Sequence, residues 1–457
     1  MKPVVTLGSR SVYTIAASFL ALCTCAVSVN ADTQMTVDSV SQLVSAAAQA
    51  APGTVIVMTS GKYELKGTIA LTAQGTEQNP IIVRADPVGS VQFNGQGSLR
   101  ITNSQWLVLE GFDLAYQART LSIDASDHVR LTRLRIHFEP RIIKNRQGSD
   151  APVIPWIRFV DGTGHRIDHS DIGPHTVGLG VTLLAENATR DVHIDHNYFH
   201  DRPRANANGA ETIRLGSGGG STLNAAIEDN LFENCDGEAE LISLKSNGNV
   251  LRRNTFLNNR GQVVVRNGKD ILISGNYFVS DGSKKGVGGI RAHGVDLLIL
   301  DNSFENITPP VLETFNGDAP MAAEGSQTGE ADKKASFNGY PQTVNVLFAA
   351  NTILDDTPVS STDTASSSNE ALISIGRNRP SGPNLAPQNW MIASNVFLSS
   401  RRLTSMTAGA TVTVFANTMV ASGSKPSVAE LDGAYREKLG LSATGPLSKA
   451  GVGPMAK

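Results

Sequence analysis

The sequence predicts an all-β protein: a right-handed parallel β-helix in a single domain, with a helix capping its N-terminal end. Three observations predict this fold. A short motif recurs along the chain, its strands are rich in Val and Ile, and many of its copies are 22 to 26 residues apart. Steps of this length are typical of stacked supersecondary units. Val and Ile favour strands over helices.

The recurring motif is a short apolar strand followed by Asn and, in most copies, by Phe two positions later. Successive copies are 33, 24, 22, 26, 49, 44 and 22 residues apart, and we interpret the two longest steps as two units each. We expect the asparagines to stack at one corner of the solenoid, where left-handed backbone and side-chain hydrogen bonding suit Asn. They are Asn197, Asn230, Asn254, Asn276, Asn302, Asn351, Asn395 and Asn417.

Other repeat architectures fit the pattern less well. Leucine-rich repeats share the period, but the Leu-x-x-Leu-x-Leu frame is absent. Helical repeats need longer periods and helical spacing. The parallel β-helix is therefore the predicted fold.

The ends and the polar stretches complete the predicted domain, residues 32–457. Residues 38–51 form an amphipathic pattern that predicts a helix with Asp38 or Ser39 as its cap. Such a helix would cover the open end of the solenoid, because terminal units need caps. The polar stretches 317–342 and 355–388 are predicted to be long loops.

Residues 1–31 have the pattern of a secretory signal. Lys2 and Arg10 precede an apolar run, and small residues lie before Asp32. No later stretch is apolar for long enough to span a membrane. We therefore expect a secreted or periplasmic protein.

Charge and cysteine content narrow the function classes. The formal charge of −3 becomes −5 once the signal, with two basic residues and no acidic one, is removed. This balance does not suggest a nucleic-acid partner, and an anionic ligand would have to meet local positive charge. Cys235 is the one cysteine outside the signal, which excludes a disulfide framework. We expect it to be buried.

The segment DGEAELISLKS, residues 236–246, carries the first functional signal. Glu238 and Glu240 would lie on one face of a strand, where like charges repel unless a cation or a cationic side chain lies between them. Ala239 and Leu241 are predicted to point inward. A bend between Leu241 and Ser243 would keep Lys245 on the outer surface.

Neighbouring coils supply partners for these residues. Asn208 precedes Glu238 by 30 residues, about one coil and a loop. Two carboxylates and an amide oxygen form an all-oxygen set that suits Ca²⁺. Arg266 follows Lys245 by 21 residues, which is one coil, so the two are predicted neighbours.

These segments together resemble polysaccharide lyase family 6, which contains chondroitinase B and many alginate lyases. The resemblance spans nearly all of the predicted mature chain. Its motifs are HRIDH at 165–169, NGAETIRLG at 208–216, EAELISLKSNGN at 238–249, VVVRNG at 263–268 and GGIRAHG at 288–294.

The resemblance implies a calcium-dependent enzyme with roles for particular residues. Lys245 would be the Brønsted base and Arg266 the Brønsted acid. The family commonly has His after that arginine, whereas this chain has Asn267, which cannot relay a proton. The implied calcium ligands are Asn208, Glu238 and Glu240. The candidate substrate-binding residues are Arg204, Arg214, Arg291 and His293.

The residue types fit β-elimination on a uronic acid. The C5 proton lies next to a carboxylate, so its removal adds charge beside an existing anion, which a divalent cation offsets. Lysine acts as a base only when neutral, and neighbouring positive charge favours the neutral amine. Glu211 and Arg214 are expected to support the site by pairing.

The expected partner is an anionic polysaccharide, with alginate as the first choice and dermatan sulfate as the alternative. A glycoside hydrolase on the same fold ranks lower, because it needs a cluster of aspartates that is absent beside Lys245 and Arg266. A non-catalytic glycan-binding solenoid has no reason to pair a lysine and an arginine beside a cation site.

Overall fold

The computed structural model describes residues 34–117, 120–138, 155–175, 180–205, 208–218, 220–320, 339–355, 371–379, 383–420 and 447–454. The predicted signal, residues 1–31, and the start of the tail after Ser422 lie outside these ranges. One α-helix, α1 (Val40–Gln49), precedes most of the strands described. The strands, in chain order, are β1 (Gln34–Val37), β2 (Val55–Met58), β3 (Gly61–Leu65), β4 (Thr68–Leu71), β5 (Ile81–Ala85), β6 (Val91–Gly95), β7 (Ser98–Thr102), β8 (Leu107–Glu110), β9 (Asp113–Leu114), β10 (Leu121–Asp124), β11 (Arg130–Thr132), β12 (Arg135–Ile136), β13 (Ile157–Thr163), β14 (Arg166–Asp168), β15 (Asp171–Ile172), β16 (Leu183–Arg190), β17 (His193–Asp195), β18 (Tyr198–Arg202), β19 (Ile213–Leu215), β20 (Ala226–Glu228), β21 (Leu231–Cys235), β22 (Glu240–Leu244), β23 (Val250–Arg252), β24 (Thr255–Leu257), β25 (Gln262–Ser274), β26 (Tyr277–Val279), β27 (Ile290–Leu300), β28 (Ser303–Glu305), β29 (Leu312–Phe315), β30 (Val344–Ala349), β31 (Thr352–Leu354), β32 (Ala371–Arg377), β33 (Gln388–Ala393), β34 (Val396–Leu398), β35 (Arg402–Met406), β36 (Val412–Phe415) and β37 (Thr418–Val420).

Equivalent strands of successive coils pair in parallel and form three rows. Strand β14 pairs with β17, and β17 with β20, while β15, β18 and β21 form a separate row. A third row runs through β19, β22 and β25, and we call it the site face. The predicted right-handed parallel β-helix is confirmed.

The core is built from ladders of identical or similar side chains. Phe199, Phe232, Phe256, Phe278 and Phe304 stack with ring centroids 4.7 to 4.9 Å apart. This spacing equals the distance between hydrogen-bonded strands. The Phe of the repeated motif therefore fills the same position in each coil.

The asparagines of the motif form a second ladder, as predicted. The backbone N–H of Asn254 donates to Oδ1 of Asn276 at 3.0 Å, and the Asn254 side-chain amide donates to the same oxygen at 3.0 Å. The pattern continues from Asn197 to Asn417, and most of these side chains are fully buried. Each asparagine therefore satisfies backbone groups at a corner that has no strand pairing.

The left-handed backbone lies one residue earlier than predicted. Asp229, Arg253 and Asp301, each just before a ladder asparagine, have φ of 53°, 55° and 52°. The asparagines stay free to turn their side chains into the corner, while the preceding residue makes the turn.

The two longest steps of the repeat are single coils, so the interpretation of two units each is wrong. Asn302 donates to Asn351, and Asn351 donates to Asn395, so each pair is adjacent in the ladder. The predicted loop 355–388 is also wrong in part, because it contains strand β32.

The N-terminal helix forms as predicted. Ser39 is its cap, and its Oγ accepts the N–H of Gln42 at 3.3 Å. Leu43 and Ala47 are fully buried and belong to the main hydrophobic core. No helix among the described residues is long and apolar enough to cross a membrane.

Replacing Asn254 with Ala should destabilise the fold by on the order of 3 kcal/mol, because several buried groups lose their partners. The groups affected include the N–H of Asn230 and the carbonyl oxygen of Ile227. Chemical denaturation measures the change in unfolding free energy. Asn79→Ala, at an exposed turn position, is the control and should change it little. Equal stability of the two variants would contradict this role for the ladder.

Candidate active site

The site face presents polar side chains from successive coils in one row. Arg214 of β19 pairs in register with Ser243 of β22, and Val264 of β25 pairs with Arg291 of β27. Ile213 and Leu215 flank Arg214 and are fully buried, so Arg214 points outward. Parallel pairing of these strands therefore brings residues from distant parts of the chain onto one surface.

The start of β22 differs from the alternation that the sequence predicts. Glu238 and Glu240 are half-buried on the outer side, as expected, but Ala239 is exposed and not inward. Leu241 and Ile242 are both buried in the core, because the pairing with β25 shifts register between Glu240 and Ile242. The bend thus lies about one residue earlier than predicted. It leaves Lys245 on the outer side, as expected.

Lys245 and Arg266 occupy equivalent positions of adjacent coils. Leu244 pairs with Val265, and each of the two candidate catalytic residues comes next in its chain. Lys245 Nζ lies 3.6 Å from Oε1 of Glu211, and the same oxygen lies 3.4 Å from NH1 of Arg214. The expected pairing of Glu211 with Arg214 is therefore present.

Arginine side chains balance the charge of Glu240. Its Oε1 lies 2.8 Å from NH2 of Arg291 and 3.7 Å from Nε of Arg266, and its Oε2 accepts the hydroxyl of Ser243 at 2.6 Å. Burial lowers the pKa of Arg266, and the positive charges of Arg291 and Arg379 lower it further. Two arginine side chains thus offset the negative charge of one of the paired glutamates, Glu240.

Glu238 is held differently. Its Oε1 accepts the backbone N–H groups of Gly209 and Ala210 at 3.1 and 2.9 Å. Burial, followed by the negative charge of Glu211 and to a smaller extent that of Glu240, raises the pKa of Glu238 to about 7. Glu211 is 2 % exposed, and its Oε2 has no hydrogen-bond partner among the residues that the structure describes. Two carboxylates therefore face each other, and Lys245 and Arg214 lie close to only one oxygen of Glu211.

The carboxylates of Glu211 and Glu238 offer oxygen atoms that suit a cation. A buried carboxylate oxygen without a partner, next to a carboxylate that repels it, is stabilised by a hard cation with oxygen ligands. Asn208 is exposed and lies directly before Gly209, whose N–H contacts Glu238. The described residues hold no group of three or more His, Cys, Asp and Glu side chains arranged around a common metal position. Of the predicted ligands, Glu240 is turned towards the arginines.

The other predicted site residues lie in different surroundings. Arg204 is exposed, two residues after β18. His293 is 0 % exposed and packs against the rings of Phe315 and Tyr340, so the expectation that it contacts substrate is wrong. Burial and nearby arginines hold its pKa well below the ordinary value.

Three other arginines of these coils are engaged away from the site face. Arg202 is 1 % exposed, and its NH1 donates to the hydroxyl of Thr182 and to the carbonyl of Glu211. Arg252 and Arg253 pair with Glu228 on a different row of strands. None of the three belongs to the row of Arg214 and Arg291.

A cluster of arginines and aromatic rings beside Arg266 was not predicted. The guanidinium carbon of Arg266 lies 3.8 Å from the ring centroid of Tyr340, and that of Arg379 lies 4.4 Å from it. Arg377 lies over Phe315 at 4.3 Å. Phe315 and Arg377 end strands β29 and β32, whereas Tyr340 and Arg379 lie in segments between strands, where no repeat pattern marks them. Their Arg and Tyr content in otherwise polar stretches was the available signal.

Asn267 stands where the resembled family commonly has His. Gly218 faces it closely: a Cβ at position 218 would lie 2.8 Å from Asn267 Nδ2. Asn267 thus packs against the backbone that follows β19, and Gly218 leaves space for its amide.

Comparison with known proteins identifies the family. The model of the chondroitinase B family matches residues 37–450. The chain belongs to this family, polysaccharide lyase family 6, and is a polysaccharide lyase. A comparison with curated proteins gives no match.

Solved structures share the fold. A mannuronic acid specific polysaccharide family 6 lyase from human gut microbiota is 23% identical, with a TM-score of 0.69 over 92% of this chain and 96% of that one. The family 6 polysaccharide lyase Pedsa3628 from Pseudopedobacter saltans is 22% identical, with a TM-score of 0.73 over 92% and 99%. The alginate lyase AlyF-OU02, in complex with G6, is 19% identical, with a TM-score of 0.64 over 86% and 88%.

Replacing Glu238 with Gln should stabilise the metal-free protein in a pH-dependent way. The pKa of Glu238 is raised in the folded state, so its ionisation destabilises the fold as the pH rises from about 4.5 to about 7. The unfolding free energy of the variant, relative to the unmodified protein, should therefore increase over this range in chelator. Denaturant titrations at several pH values measure it. A difference that does not vary with pH would contradict the strained carboxylate pair.

Proposed function

We propose that this chain is a calcium-dependent lyase that cleaves a uronic-acid-containing polysaccharide, alginate first, by β-elimination. One observation carries the proposal. Lys245 and Arg266 are adjacent in successive coils, beside Glu238 and Glu240, on the scaffold of a polysaccharide lyase family. A base, an acid and carboxylates for a cation are the groups that this reaction needs.

Lys245 would remove the C5 proton of the uronate. Its Nζ lies 3.6 Å from the nearest carboxylate oxygen, on Glu211, which is beyond hydrogen-bonding distance. Arg214 lies close to that same oxygen and shares its charge. The amine is therefore not locked to an acceptor, and in its neutral form it would take the proton from substrate.

Arg266 would donate to the 4-linked oxygen as the bond from C4 breaks. Its position one coil from Lys245 gives the two residues access to neighbouring atoms of one sugar ring. The electron pair of the C5–H bond forms the C4–C5 double bond, and the oxygen leaves with a proton. When bound, Ca²⁺ would offset the charge that develops on the uronate carboxylate.

Glu238 and Glu211 would hold the cation, with Asn208 and Glu240 completing the set. The raised pKa of Glu238 and the unpartnered Oε2 of Glu211 support this assignment. Glu211 thereby joins the three ligands that the resemblance implies. Arg214, Arg291 and Arg204 would bind carboxylates of the polymer.

Alginate is the proposed substrate, and dermatan sulfate is the second candidate. The solved relatives named for mannuronic acid specificity and for a complex with G6 support alginate. The family model, described as chondroitinase B, supports the second. Assays on polymannuronate, polyguluronate and dermatan sulfate separate them, because lysis creates an ultraviolet-absorbing double bond and hydrolysis creates none. We also propose that the enzyme is exported, on the basis of residues 1–31.

Calcium dependence is tested by chelation. Chelator should abolish or strongly reduce turnover, and added Ca²⁺ should restore it. Calorimetry should detect Ca²⁺ binding that Glu238→Gln weakens, since the substitution removes a charged ligand. Full activity in excess chelator, with no metal found by elemental analysis, would exclude the calcium site.

Replacing Lys245 with Ala should lower kcat by about 10²- to 10⁴-fold, the range for loss of an acid–base group. Binding of oligosaccharide should persist, because the arginines remain. Arg266→Ala should lower kcat as well. Lys269→Ala, from a partly exposed ion pair in the same strand as Arg266, is the control and should retain activity. A folded Lys245→Ala enzyme with normal kcat would rule out this base.

A further inference from the structure

The guanidinium of Arg266 is fixed by contacts from an insertion outside the regular coils. The Tyr340 ring centroid lies 3.8 Å from its Cζ, and the carbonyl of Gly339 accepts its NH1 at 2.7 Å. On another side, Nε lies 3.7 Å from Glu240. An arginine side chain has several rotatable bonds, so these contacts select one orientation out of many.

Asp318 holds the backbone of Tyr340 in place. Its Oδ2 accepts the Tyr340 N–H at 2.8 Å, and its own N–H donates to the Tyr340 carbonyl at 2.7 Å. The same carboxylate pairs with Arg379, whose guanidinium also lies beside the Tyr340 ring. Tyr340 is therefore anchored at the backbone and at the ring.

The buried side of the cluster sets the plane of the ring. His293 is fully buried, with its ring centroid 4.3 Å from that of Tyr340, and Phe315 meets the Tyr340 ring edge-on at 5.6 Å. This packing gives His293 a role although it cannot reach substrate.

The face of the Tyr340 ring also suits the positive charge of Arg266. Arg266 lies near Arg291 and Arg379, whose positive charges repel it. The negative face of an aromatic ring attracts a cation and adds no further positive charge. Because two guanidinium groups and His293 lie within 4.4 Å of the ring centroid, Tyr340 has little free surface on which to stack a sugar.

We propose that Tyr340 is a positioning residue for Arg266: its ring face, anchored by Asp318, holds the guanidinium where it can donate to the leaving oxygen. The inference rests on the proposed role of Arg266 as the acid. It makes the insertion that contains Tyr340 part of the catalytic apparatus, acting through the arginine and not by contact with substrate.

The kinetic test compares Tyr340→Leu with Tyr340→Phe. Removal of the ring should lower kcat at least 10-fold with a change in KM below 3-fold, on the order expected for a misplaced catalytic group. Phe keeps the ring face and should keep kcat within 2-fold, on the same reasoning. Tyr63→Leu, in the N-terminal coil, is the matched control and should have no effect on kcat. Asp318→Ala should lower kcat in the same direction as Tyr340→Leu.

A double-mutant cycle distinguishes loss of Arg266 positioning from a general loss of structure at the site. In an Arg266→Ala background, Tyr340→Leu should cost no further activity, because the group it orients is absent. Additive losses would overturn the inference, and so would normal kcat in Tyr340→Leu or an equal loss in Tyr340→Phe.

An NMR measurement tests the contact without any turnover. The Nε–H resonance of Arg266, assigned through Arg266→Lys, should show a ring-current shift that Tyr340→Phe keeps and Tyr340→Leu removes. An unchanged resonance in Tyr340→Leu would refute the contact. If the contact is present but no polymer is cleaved, the proposed function fails and the geometry of Arg266 stands.

Discussion

In-register parallel stacking is the constraint on which the rest of this structure depends. Each coil must place its strands directly against the preceding coil, because every backbone group on a strand needs its partner there. At one corner the asparagine ladder continues this pairing through side-chain amides, from Asn197 to Asn417. A slip by one residue would turn every outward side chain inward. The positions of Arg214, Ser243 and Arg291 on one face follow from this register.

The same register creates an electrostatic problem at the site. It gathers Glu211, Glu238 and Glu240 within two coils. Arg291 and Arg266 lie beside Glu240, and Arg214 and Lys245 lie beside one oxygen of Glu211, while the pKa of Glu238 is raised. Such concentrations of one charge are common where function, not stability, selects the residues. The cationic side chains around Glu240 and the raised pKa of Glu238 thus follow from the same register.

Segments between the regular strands supply lateral contacts to the outward side chains of the coils. A solenoid surface built from repeats is open, and its outward side chains have few lateral neighbours. The segment around Tyr340 brings its ring against Arg266, and Arg379 and Arg377 lie over the rings of Tyr340 and Phe315. One side of the candidate active site is therefore bounded by residues that lie far away in the sequence.

The sequence by itself determined the β-helix, the asparagine and phenylalanine ladders, the capping helix at Ser39, and the adjacency of Lys245 and Arg266. These depend on a fixed spacing, and a parallel coil converts spacing directly into position. The tertiary structure alone decided the register shift at Leu241, the burial of His293 and Arg202, and the long single coils before Asn351 and Asn395. It also decided the pairing of Tyr340 with Arg266. These features depend on how side chains of insertions and bulges pack against the coils, and packing across such irregular segments leaves no period in the sequence from which it could be predicted.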